Sequence, residues 1–95
     1  MAEKHNTRID KWLWAVRIFK TRAQATEACA GGKVKIDGTA VKASRKIKPG
    51  ETLLVRKGVI KYMYKVLKIA EKRMGAKLII DFVEDLTSDD ERAKL

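Results

Sequence analysis

Residues 8–22 read RIDKWLWAVRIFKTR, so Arg8, Lys11, Arg17, Lys20 and Arg22 alternate with Trp12 and Trp14 in one short segment. Guanidinium and ammonium groups hydrogen-bond phosphate oxygens, and aromatic faces can stack on bases, so this mixture is the chemistry of holding a nucleic acid. Further basic side chains follow at Lys33, Lys35, Lys42, Arg45 and Lys46. Residue types that break bonds are scarce. His5 is the single histidine and Cys29 the single cysteine, with no His/Cys spacing of a metal site. No acid or histidine is placed by the sequence to activate Cys29, which reads as a small buried hydrophobe. No cofactor and no metal are expected.

The 22 Lys+Arg against 12 Asp+Glu give a formal charge of +10 over 95 residues, a self-repulsion that a polyanionic partner would relieve. The excess is uneven: residues 1–58 carry 14 basic and 5 acidic side chains, whereas 59–95 carry 8 and 7. The partner is therefore expected at the first half. One small domain fits the length. With neither a long apolar run nor the apolar core of a signal peptide, and no disulfide pair, the chain reads as a soluble cytoplasmic protein. Residues 1–7 are expected to be flexible, 8–86 to form the domain and 87–95 to be an acidic, frayed tail.

Positioning those cations requires elements that the apolar spacing predicts. Ile9, Trp12, Leu13, Val16 and Phe19 recur at helical intervals after Thr7, a candidate N-cap, with Asp10 in the first turn. Trp12 then belongs to the core. Trp14 falls on the other side, where it would pack under the C-terminal segment, stack on a base or cover a lysine stem. TRAQ at 21–24 has capping-box form, Ala25, Ala28 and Cys29 make a stripe of small residues, and Gly31-Gly32 stops the second helix. Arg22 would sit in that helix's first turn, unfavourable to the helix dipole unless a phosphate binds there. Val34 and Ile36 alternate with Lys33 and Lys35 up to Asp37-Gly38, a two-residue hairpin turn. TLLVRK from Thr52 and VIKYMYKVLKI at 59–69 read as strands, with Tyr62 and Tyr64 directed to packing. AKLIIDFVEDL, 76–86, fits strand or helix spacing; the helical reading is preferred.

The combined pattern RIDKWLW..R..KTR.QA.....GGKVKIDG..VK.S resembles the S4-type RNA-binding domain, and DKWLWAVRIFKTR followed by GGKV is most similar to the ribosome-associated heat-shock protein 15 family. The resemblance covers roughly residues 8–56. It implies an α+β fold: an S4-like, αL-type two-helix motif, then a β-hairpin and a small, mostly antiparallel sheet, with a last helix at the C-terminal end. It also implies a noncatalytic protein that binds structured RNA, rRNA or tRNA, on the large ribosomal subunit, and helps recycle stalled subunits carrying peptidyl-tRNA. Carried over by position, the RNA-facing set is Arg8, Lys11, Arg17, Lys20, Thr21, Arg22, Gln24, Lys33, Lys35 and the Asp37-Gly38 turn, with Lys42 and Arg45 beside it. Asp37 stands where the family commonly has Asn, and SDDERAKL where better-known members continue into a long basic extension.

Related readings are an accessory S4-type factor for tailing stalled nascent chains, or an RNA-targeting partner of a modifying enzyme. Binding to a membrane surface would need an apolar helix face free for lipid, and the first helix's face is better used inside the domain. No membrane partner is expected. The sequence shows no coiled-coil seam, so a monomer is expected.

Overall fold

The apolar spacing after Arg8 closes as α1 (Ile9–Ala15), which buries Ile9, Trp12, Leu13 and Ala15. The structure, a computed structural model, describes residues 7–95; the rest of the expected flexible start, with His5, lies outside the described residues. Thr7 is not the N-cap. Arg8 occupies that position without a side-chain cap, and the Ile9 and Asp10 N–H groups donate to the carbonyls of Arg45 (2.8 Å) and Ala43 (3.3 Å). Thr7 is buried and its hydroxyl donates to Glu71. A bridge between Arg8 and Lys46 completes this seam, so backbone from a distant loop does the capping that a side chain was expected to do.

The first helix is also shorter than its apolar stripe. Arg17 adopts φ +65°, and the Ile18 and Phe19 N–H groups both donate to Leu13. Val16, Ile18 and Phe19 are still buried, now from a turn rather than a helix. Trp12 is core, its indole N–H donating to the Lys68 carbonyl at 2.9 Å.

In α2 (Arg22–Ala30) the capping Thr21 hydroxyl accepts from the Gln24 N–H at 3.1 Å, and Ala25, Ala28 and Cys29 are the buried residues. Gly32 at φ +74° ends it, with Lys33 N–H donating to Ala28 and Gly32 N–H to Cys29, the paired bonds of a Schellman motif. Burial, reinforced by the Asp10 charge, pushes the Cys29 thiol up to about 11, in keeping with a packing role.

The sheet comprises β1 (Val34–Ile36), β2 (Thr39–Ala40), β3 (Thr52–Lys57), β4 (Ile60–Val66) and β5 (Val83–Asp85), antiparallel throughout in the order β2-β1-β3-β4-β5. Asp37 (φ +53°) and Gly38 (φ +79°) make the expected hairpin turn, of the primed kind in which both residues are left-handed. Val34, Ile36, Leu53, Val55 and Val66 join the helix residues in one core, while the alternate residues Lys35, Leu54 and Met63 are less buried.

The C-terminal quarter departs most from expectation. Residues 76–86 are not an α-helix: Ala76–Asp81 form a 3-10 helix and the chain then extends into β5. Ile79 and Phe82 pack against the core three residues apart, the spacing of that tighter helix, and the Phe82 carbonyl accepts from the Leu67 and Lys68 N–H groups. Those bonds also end β4 at Val66 instead of Ile69. The segment expected to fray carries α3 (Asp89–Arg92), capped by Ser88. Along β4's outer edge, Glu91 accepts from the Lys61 N–H (2.8 Å) and Thr87 from the Met63 N–H (3.0 Å), which occupies donors that would otherwise invite another strand.

Candidate nucleic-acid interface

A carboxylate organises the cations at the start of α1. Asp10 is 1% exposed; its Oδ1 accepts from Arg8 Nε (3.2 Å) and its Oδ2 from Arg8 Nη2 (3.0 Å) and the Thr26 hydroxyl (2.9 Å), while Arg22 Nη2 lies 3.6 Å from Oδ1. Arg8 and Arg22 reach outward from this post to line a groove of about 260 Å³ with Thr7, Lys11, Lys46 and Glu71. Lys11 stands 4.0 Å from Glu71. Arg22 is therefore offset by Asp10, a partner no local pattern around residue 22 announces.

Lys20, Gln24 and Lys33 come together in a second groove of about 520 Å³, with Phe19, Glu27, Ala28, Arg56 and Lys57. Arg56 and Lys57 are cations that sequence reasoning missed; they lie at the end of β3, remote in sequence from the helical motif. Lys57 anchors this wall by donating to the Ile18 carbonyl, with its ammonium 4.7 Å from the Phe19 ring centroid. Desolvation holds its pKa below the ordinary lysine value. Thr21 caps α2, whose first residue, Arg22, lines the first groove and whose Gln24 lines the second.

The remaining predicted residues sit apart. Lys35, Asp37 and Gly38 border a third hollow of about 240 Å³ with Thr52, Leu54 and Met63. Lys42 is exposed on the loop that follows. Arg45 forms a bidentate pair with Glu51 (3.2 and 2.8 Å), which holds the Glu51 carboxyl below the usual range. Arg17 donates to the Met74 carbonyl at 3.1 Å, tying the segment after β4 to the end of α1. Trp14 packs under that same segment: the Arg73 guanidinium lies 5.8 Å from its ring centroid and donates to its carbonyl.

Both grooves are open, cationic and preformed, suited to the oxygens of a phosphate backbone. Among the described residues, no three His, Cys, Asp or Glu side chains gather to hold a metal. No helix of the described residues is long and apolar enough to cross a membrane.

The S4 domain family model matches residues 7–53. Over 69 residues the chain is 44% identical to heat shock protein 15 of Escherichia coli (strain K12), covering 73% of this chain and 52% of that one. Over 57 residues it is 40% identical to the RQC P-site tRNA stabilizing factor of Helicobacter pylori, covering 58% of this chain and 68% of the relative. The trimeric structure of Vibrio cholerae heat shock protein 15 superposes with a TM-score of 0.80 at 32% identity, covering 93% of this chain and 87% of that chain. This chain spans about half the length of the curated heat shock protein 15 relatives it matches.

Proposed function

We propose, from the premise that this chain belongs to the S4-domain family, that it is a noncatalytic binder of structured RNA on the large ribosomal subunit. Its role is in the rescue or recycling of stalled subunits that carry peptidyl-tRNA. The observation that carries this reading is the pair of basic grooves flanking the start of α2, one built on the buried Asp10 and the other on Lys20, Lys33, Arg56 and Lys57. Fixed cations on a rigid αα-plus-hairpin frame match a ligand whose phosphates are themselves fixed, as in a folded RNA helix. Arg8, Lys11, Lys20, Arg22, Gln24 and Lys33 are the contacts this reading favours. The likeness to an RQC P-site tRNA stabilizing factor supports a ribosome-bound tRNA as part of the ligand. The 40% identity to that factor, over 68% of its length, favours, as a second reading, an accessory role in tailing stalled nascent chains. The protein acts in the cytoplasm.

The test is competition at one salt concentration between a folded large-subunit rRNA helix, poly-U and anionic lipid vesicles for the labelled protein. The folded helix should bind about tenfold or more tighter than poly-U, with no uptake by vesicles, because shape and not charge alone is recognised. Equal affinity for the folded helix and poly-U would make the protein a nonspecific polycation.

A further inference from the structure

Asp10 is a negative charge set beneath a surface that is otherwise built to attract a polyanion. Coulomb's law alone makes it a handicap, since it cancels one of the cations above it. The geometry argues for the opposite effect. Its side chain is 1% exposed, whereas those of Arg8 and Arg22 are 43% and 44% exposed. Arg8 offers Asp10 only the Nε/Nη2 edge of its guanidinium, so the Nη1 donors and one Nη2 hydrogen remain for a second acceptor. Arg22, at 3.6 Å, is held by charge beyond hydrogen-bond range and keeps its whole donor fork. Thr26, from α2, donates to the same carboxylate at 2.9 Å and so ties the two helices to one anchor. Ordering a free arginine side chain on a ligand loses much of its rotamer freedom, and here the restriction is imposed by folding, before any RNA arrives.

We propose that Asp10 is a positioning residue for RNA: it holds the Arg8 and Arg22 guanidiniums at a fixed separation with free donors outward, so that both reach backbone phosphates together. The inference rests on the RNA-binding reading above. Removing this negative charge should therefore weaken binding to an anion, the reverse of what net charge dictates.

The experiment measures binding of the full chain to purified large ribosomal subunits in a double-mutant cycle of Asp10→Asn with Arg8→Ala. Asp10→Asn should bind about five- to tenfold more weakly, and in the Arg8→Ala background the same change should cost about twofold or less, because one of the groups it positions is gone. Where Asp10→Asn fails to fold, Thr26→Val carries the cycle: it keeps every charge and removes one hydrogen bond, with an expected loss of about two- to threefold that shrinks towards nothing beside Arg8→Ala. Unchanged or tighter binding by Asp10→Asn overturns the proposal, as does a loss of equal size in both backgrounds, which marks a merely structural role. A native chain that fails to bind subunits at all overturns the RNA-binding reading itself, and this inference with it.

Discussion

Arg22 shows how a side chain's surroundings decide what a substitution reports. Its place in the first turn of α2 after Thr21 is legible in the sequence, but its ion pair with Asp10, twelve positions earlier, is not. Only the packing of α1 on α2 brings them together. Arg22→Glu would set a second carboxylate beside a buried one, at a cost of about 1–3 kcal/mol after allowance for Arg22's exposure. The Tm should fall by about 5–15 °C, whereas Arg22→Gln should lose RNA binding with a smaller change in the melt. Calorimetry of the two variants decides this, and equal melts would mean that a second carboxylate beside Asp10 costs the fold nothing. Arg17 is a similar case. Its charge was readable, but its positive φ and its bond to Met74 depend on a segment more than fifty residues away.

At the scale of elements, local signals succeeded where they were self-contained. Thr21, Gly32 and Asp37-Gly38 each act within a few residues, and each does in the structure what its type predicts. Elements whose ends are set by distant backbone were misread: α1 is capped by the 43–45 loop, and residues 76–86 follow the demands of β4 rather than their own helical spacing. The tail is the clearest instance, because TSDDERAKL looks disordered by composition, yet Thr87 and Glu91 fit the free N–H groups of one strand edge. Truncation after Leu86 removes both acceptors, along with the Arg92–Asp85 ion pair. It should lower stability by about 1–3 kcal/mol and promote association through the exposed β4 edge. Thermal melts and light scattering of the truncated chain check this, and a monodisperse variant with an unchanged Tm would show that α3 does not protect the sheet.

For the molecule as a whole, the charge asymmetry pointed to residues 1–58, which supply every cation of both grooves, Arg56 and Lys57 of β3 included, while Glu71 alone comes from the later part of the chain. The lack of a coiled-coil seam bears on one mode of assembly only, and the structure of the Vibrio cholerae relative is trimeric. The central claim, that these preformed grooves bind structured RNA of the large subunit, is tested most directly by co-sedimentation with purified large subunits across a salt series. The native chain and Lys20→Ala/Lys33→Ala should be compared, since both lysines are exposed in the second groove. If about five phosphates are neutralised, log K for the native chain falls against log salt with a slope of roughly −3.5 to −4.5. The variant binds more weakly, with a slope shallower by about 1.5 and an unaltered melt. Equal binding and equal slopes for the two proteins would contradict the account and place the RNA-binding surface elsewhere on the molecule.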